Sequence, residues 1–274
     1  MPLATLAEVL QPALAEHRAV AGLVCLGWED ARAYVAAAEA EDAPLILQAG
    51  PGARAHMPIP VWGAMFRALG EGASVPVVAH LDHGANADEV VQAIDAGFTS
   101  VMFDGSRLPL DDNIDQTAHC VALAHGAGVS CEGEIGFVGY AAGAKSLGTD
   151  PDEAARFAAE TGVDAVAVSV GNVHLQEEAA AQIDMDRLRA IEAGVAAPLV
   201  IHGGSGIAAE TRARLARETR IAKFNIGTEL RQVFGASLRA GLAADPDAYD
   251  RIAILSATDD PLVAAARAVI ANLR

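Results

Sequence analysis

Eight short apolar runs recur along the chain, at Ala19 to Leu26, Pro44 to Gln48, Val75 to Leu81, Thr99 to Phe103, Val129 to Ile135, Val163 to Val170, Pro198 to Ile201 and Ile221 to Ile226. Continuous apolar runs of this length predict strands covered on both faces. Between them, Ala-rich segments carry apolar residues at helical spacing: Glu29 to Ala40, Ala87 to Ala96, Asn113 to His125, Pro151 to Thr161, Met185 to Ala193 and Ala208 to Glu218. Gly97, Gly128, Gly162 and the region of Gly72 stand where helices must stop, and Asn86 and Asp150 stand where they must start, with acids in the following turn. Eight such βα units predict a closed (β/α)8 barrel, and no Gly-x-Gly-x-x-Gly fingerprint follows the first strand to favour an open dinucleotide-binding sheet. No linker or low-complexity stretch divides the 274 residues, so residues 1–274 are read as a single barrel domain. A C-terminal helical extension closes it: a long helix from Glu229, an Asp/Pro-rich turn near Asp245 to Asp250, and an amphipathic helix from Pro261.

Composition narrows the partners. The chain is 52% hydrophobic but only 4% aromatic, so the core must be built from Ala, Val, Leu and Ile, as suits helices on a parallel sheet. A net charge of -17 repels nucleic acid and anionic membrane surfaces. An anionic small substrate then needs a local site of backbone amides, cations or metal. Cys25, Cys120 and Cys131 form no CxxC pair, which argues against a disulfide framework or a cysteine zinc site and for a reducing, cytoplasmic setting. The N-terminal stretch does not resemble a signal peptide, and no apolar run reaches the roughly 20 residues of a membrane span.

In this fold, chemistry sits at the C-terminal ends of the strands. Asp82, His83, Asp104, Glu132, Glu134, His174, His202 and Asn225 all fall at or just beyond such ends. His83, His174 and His202 offer three neutral nitrogens and leave an open coordination position, the arrangement of catalytic zinc. Asp82, beside His83, reads as a general base or as a partner orienting an imidazole. Glu134 and Asp104 read as ligands of a second cation or as charge buffers for the first. His80, within a strand, reads as a hydrogen-bonded structural residue, and His17, His56, His119 and His125 fall on or near helices. His202-Gly203-Gly204-Ser205-Gly206 follows the seventh predicted strand, and Asn225-Ile226-Gly227-Thr228 follows the eighth and opens a helix. Either segment alone is an ordinary tight turn. After strands seven and eight together, they predict a phosphate site.

Six blocks in this order carry a resemblance: HLDHG at His80 to Gly84, AIDAGFTSVMFDGS at Ala93 to Ser106, EGEIG at Glu132 to Gly136, TGVDAVAVSVGNVH at Thr161 to His174, PLVIHGGSG at Pro198 to Gly206 and KFNIGTEL at Lys223 to Leu230. The chain resembles the class II, metal-dependent ketose-bisphosphate aldolases, which include fructose- and tagatose-bisphosphate aldolases, from about Leu45 to Leu230. The resemblance implies a zinc on His83, His174 and His202, with Asp82 handling the proton of the hydroxyl at the bond that breaks. Glu134 and Asp104 would match residues near a second metal position. Gly203, Ser205, Asn225 and Thr228 would match residues holding the dihydroxyacetone phosphate portion, often beside a monovalent cation. The implied chemistry is retro-aldol cleavage through a metal-stabilised enediolate, without a Schiff-base lysine, so Lys223 and Lys145 are weak candidates for covalent catalysis. Fructose 1,6-bisphosphate is the default substrate of this carbohydrate-metabolism reading, and homodimers or homotetramers are the expected assemblies.

Three departures bear on the substrate. Leu175 follows the second metal histidine where the family usually has glycine. The loop Phe137 to Gly148 contains no acid, leaving Tyr140 or Lys145 as proton-exchanging substitutes. The first strand ends Cys25-Leu26-Gly27-Trp28 where asparagine is usual, and the chain stops at Arg274 without a glycine- and serine-containing tail. Two further readings therefore stand beside the default: the same metal chemistry on another ketose or a ketose monophosphate, and a non-catalytic barrel that binds sugar phosphate.

Overall fold

The computed structural model describes residues 3–139, 143, 145–179 and 181–274. Eight parallel strands close on themselves in sequence order. They are β1 (Val20–Val24), β2 (Leu45–Ala49), β3 (Val77–Gly84), β4 (Ser100–Phe103), β5 (Ser130–Ile135), β6 (Ala165–Val168), β7 (Leu199–Ile201) and β8 (Ile221–Ile226). Each coincides with one predicted run. The (β/α)8 architecture is therefore present as the apolar pattern predicted.

Helices α1 (Leu6–Ala15), α2 (Trp28–Ala40), α3 (Pro51–His56), α4 (Ile59–Gly72), α5 (Ala87–Asp95), α6 (Leu110–Gly126), α7 (Pro151–Thr161), α8 (Met185–Gly194), α9 (Ala209–Glu218), α10 (Thr228–Ala244), α11 (Arg251–Ser256) and α12 (Asp259–Asn272) surround it. Their ends follow local chemistry. Asn86 accepts from the Glu89 amide to start α5, Asp150 accepts from the Asp152 and Glu153 amides to start α7, and Gly162 ends α7 in the left-handed region. Helices α1, α3, α4 and α11 were not among the predicted segments. The first two are short or lie outside the βα alternation, and the prolines at 51, 58 and 60 obscure the start of α4.

Strand side chains alternate between two apolar clusters. Leu45, Leu47, Val77, Ala79, Val166 and Val168 pack outward with Trp62, Phe66 and Phe157 of the helices. Val20, Ile46, Val78, Ala165 and Val200 pack instead with Leu6, Val9, Leu10 and Ala13 of α1. Helix α1 thus plugs the N-terminal end of the barrel, tied there by the Ala4 amide to the Val77 carbonyl (2.9 Å) and the Ala7 amide to Ser130 Oγ (3.1 Å). The apolar face of α12 is taken up within the chain: Leu262, Ala266, Val269, Ile270 and Leu273 are buried and α12 packs along α2. Among the described residues no helix is long and apolar enough to cross a membrane.

Candidate active site

Two irregularities decide which side chains reach the mouth of the barrel. In β3 the register shifts between Leu81 and Gly84, and His83 adopts φ 53°. In a regular strand Asp82 and His83 would face opposite ways, whereas this bulge sets both against one cavity, at a conformational cost of about 1–3 kcal/mol. Gly84 is required next, because a Cβ there would lie 2.5 Å from the Met102 carbonyl oxygen. In β8 the register shifts opposite Leu199 and Val200, and Lys223 and Asn225 both turn inward: Lys223 reaches Glu132, and Asn225 Nδ2 donates to Asp82 Oδ1 (3.1 Å).

His83, His174 and His202 converge from β3, the loop after β6 and the end of β7. Their ring centroids lie 5.2 Å (83 to 174), 4.6 Å (83 to 202) and 5.6 Å (174 to 202) apart, and ligating atoms of all three fall within 4.8 Å of one another. Asn172 braces two of the elements: its side chain donates to the His202 carbonyl (3.0 Å) and accepts from the Val170 amide (2.8 Å). A second group of ligating atoms, from His83, Asp104 and Glu134, is equally compact. Asp104 Oδ2 lies 2.7 Å from His83 Nδ1, and its other oxygen accepts from the amide and hydroxyl of Ser106.

The electrostatics call for positive charge. Burial alone would lower the His83 pKa, but Asp82, Asp104 and Glu134 outweigh it and raise it to about 10. Burial, with His83 and His202 beside it, lowers that of His174 to about 3. Burial lifts Glu134 to about 7, against the pull of His202. Burial would raise Asp82 too, but His83, His202 and Lys223 hold it below the usual carboxylate range, so the neighbour of the histidines is a carboxylate able to accept a proton. Among the described residues His202 Nδ1 and Glu134 Oε2 are buried with no hydrogen-bond partner, and they lie 3.4 Å from each other. A nitrogen of the trio and a carboxylate oxygen beside it, both without a hydrogen bond, fit a cation better than they fit packing.

Beneath the trio lies a fully buried polar chain that sequence reading had assigned only in part. His202 Nε2 lies 3.0 Å from Glu132 Oε1, and Lys223 Nζ donates to Glu132 Oε2 (2.6 Å). His80 stands 3.3 Å from Lys223 Nζ through Nε2 and 2.8 Å from Ser100 Oγ through Nδ1. Burial and Lys223 lower the His80 pKa to about 3, so its 3.8 Å approach to Glu132 involves a neutral ring and is no ion pair. Burial would raise Glu132, but Lys223 and the hydrogen bond from His202 hold it well below its usual range. Glu132 therefore stays ionised and orients His202, leaving Nδ1 toward Glu134 Oε2 at 3.4 Å. Lys223 is sealed in that pair and out of reach of a substrate carbonyl, while Lys145 is exposed on the loop.

Asp82, His83, His174, Leu175, Gly203, Ser205, Asn225 and Thr228 line one cavity of about 280 Å³. Gly203 has φ 66°, and a Cβ on it would meet the Val173 carbonyl oxygen at 2.2 Å, so only glycine closes this wall. Ser205 Oγ accepts from the Gly227 and Glu229 amides (3.2 and 3.3 Å) at the start of α10, leaving its hydroxyl proton for an anion. Leu175, at φ 56° and 51% exposed, projects into the same cavity. Arg231 lines it as well, and among the described residues its Nε is buried without a hydrogen-bond partner. Sequence reading missed Arg231, although its place three residues after Thr228 puts it on the same helix face. Tyr140 lies outside the described residues.

The family model described as class-II fructose-bisphosphate aldolase matches residues 4–274. A 6-phospho-5-dehydro-2-deoxy-D-gluconate aldolase from Shouchella clausii is 36% identical over 255 residues, covering 89% of this chain and 85% of that one. A fructose-bisphosphate aldolase from Geobacillus stearothermophilus is 35% identical, covering 96% and 94%. Among solved structures, the YdjI aldolase from Escherichia coli K12 superposes with a TM-score of 0.84 at 28% identity, covering 99% and 97%.

Proposed function

The chain belongs to the class-II fructose-bisphosphate aldolase family, hence to the lyases, and from that premise we propose that it splits a phosphorylated ketose by retro-aldol cleavage at the barrel mouth. The observation that carries this reading is the convergence of three histidines beside an ionised Asp82, facing a cradle of glycine and hydroxyl groups.

Zinc is the cation we assign, held by His83, His174 and His202, with His83, Asp104 and Glu134 offering a second position. When bound, it supplies Lewis-acid polarisation of the substrate carbonyl and stabilises the negative charge left when the carbon-carbon bond breaks. The protein's own groups do the rest. Asp82, aimed by Asn225, takes the proton of the substrate hydroxyl at the bond that breaks. Gly203, Ser205, Asn225 and Thr228 receive the phosphate at the start of α10, and Arg231 adds the fixed positive charge that an acidic protein must supply locally.

Fructose 1,6-bisphosphate is the default substrate. A second reading keeps the chemistry and changes the sugar: Leu175 narrows the cavity where the family has glycine, and the Shouchella relative is named for a phosphorylated gluconate derivative. We also read residues 1–274 as one barrel domain with a C-terminal helical extension, working in the cytoplasm as a homodimer or homotetramer.

The test pairs metal content with release of triose phosphate from several ketose phosphates, for wild type and Asp82→Asn. We expect near one zinc per chain in both proteins, and turnover in Asp82→Asn reduced by about 10²–10⁴. Wild type without metal, or Asp82→Asn with full turnover, would refute the assignment.

A further inference from the structure

Arg54 has no part in the chemistry just described, yet its side chain makes hydrogen bonds to the backbone of both Asp82 and His83. It lies on α3, its side chain is 5% exposed, and its guanidinium binds three backbone carbonyls and one carboxylate. Nη1 donates to the carbonyls of Ala49 (2.6 Å) and Asp82 (2.6 Å), and Nη2 donates to the carbonyl of His83 (2.9 Å). Nε completes the fork on Glu89 Oε1 (2.8 Å), while the other oxygen of Glu89 accepts from the Ala85 amide (2.8 Å). One planar cation therefore ties the end of β2 to both residues of the β3 irregularity. Its anchor on α5 holds the residue just beyond that irregularity.

The carbonyls of a bulge lose their regular ladder partners, and His83 occupies a backbone region that a residue with a Cβ rarely adopts. Such a conformation persists only where its surroundings over-determine it. A guanidinium supplies several donors in a fixed fork, which an ammonium does not.

We propose that Arg54 is a positioning residue that holds the Asp82–His83 turn, so that the proton acceptor and a metal-ligating imidazole face the same cavity. This rests on the roles assigned above to Asp82 and His83. It adds that their joint orientation depends on a side chain contributed by a different element, α3.

The test uses Arg54→Ala and Arg54→Lys. A cavity of about 480 Å³ opens onto Arg54, His83 and Glu89, so a small cation can enter from solvent. Arg54→Ala is expected to lose about 100-fold in kcat, as a misplaced reacting group does, with KM little changed. Zinc affinity should fall about tenfold. Millimolar guanidinium should recover turnover, whereas equal sodium or methylammonium should not. Arg54→Lys keeps a charge for Glu89 but cannot span three carbonyls. In its metal-free crystal structure His83 should leave positive φ. Wild-type turnover and zinc affinity in folded Arg54→Lys, or an unmoved His83 backbone, would overturn the proposal, and this variant decides alone if Arg54→Ala fails to fold. A wild type that neither binds zinc nor cleaves a ketose phosphate would instead refute the functional reading, while the His83 backbone of metal-free Arg54→Lys would still decide what Arg54 does.

Discussion

Lys223 and Glu132 are a case where one side chain sets the worth of another at a distance from solvent. Both are fully buried, and each leaves the other an uncompensated charge if removed alone. Lys223→Met should therefore cost about 3–5 kcal/mol in urea unfolding. Glu132→Gln/Lys223→Met should recover most of that loss, because neither member of the pair is left as a lone buried charge, yet bind zinc about 10–100-fold more weakly, because a neutral amide orients His202 less firmly. Equal zinc affinity in the double variant would remove Glu132 from any role at the metal. Leu175 acts through volume rather than charge. Leu175→Gly should open the cavity and lower KM for a ketose bisphosphate severalfold at similar kcat; an unchanged KM would show that the leucine does not narrow the substrate's space.

At the scale of elements, α1 is the informative one, since it closes the end of the barrel opposite the reacting one. Leu10 is fully buried in the cluster that joins α1 to the strand interiors. Leu10→Ala should cost about 2–5 kcal/mol by loss of contact and the cavity left behind. Zinc affinity, set at the opposite end, should stay at the wild-type value. A parallel fall in zinc affinity would mean that the plug and the mouth are coupled. The strands themselves were legible because burial on both faces leaves an uninterrupted apolar run. Helix α4 was not, because Pro58 and Pro60 stand at its first turn and mimic a loop.

For the whole molecule, a bound cation would couple the site to stability. Asp82, Asp104 and Glu134 crowd three histidines, and among the described residues His202 Nδ1 and Glu134 Oε2, 3.4 Å apart, are buried without a hydrogen bond. A ligand that binds the folded state alone stabilises it by mass action, about 2.7 kcal/mol at 100 times its Kd. At roughly 2–4 °C per kcal/mol for a chain of this size, zinc should raise the unfolding midpoint by about 5–10 °C, and a chelator should reverse it. A midpoint indifferent to zinc would deny the histidine trio a metal.

The sequence by itself determined the barrel, the ends of its strands, and which polar residues could stand on one rim. Each follows from local rules, since period, punctuation and strand order are written in adjacent residues. It also carried the family, through six blocks in fixed order. Only the tertiary structure decided how that rim is aimed. Asp82 and His83, as neighbours in a strand, should diverge, and they converge because a bulge and Arg54, twenty-eight residues before Asp82, bend the backbone between them. Lys223, which a strand-borne lysine's chemistry would nominate for catalysis, is taken instead by Glu132 from β5. Such assignments depend on which distant groups share a buried space, and a charge's partner in that space is fixed by the closure of the sheet rather than by its neighbours in the chain.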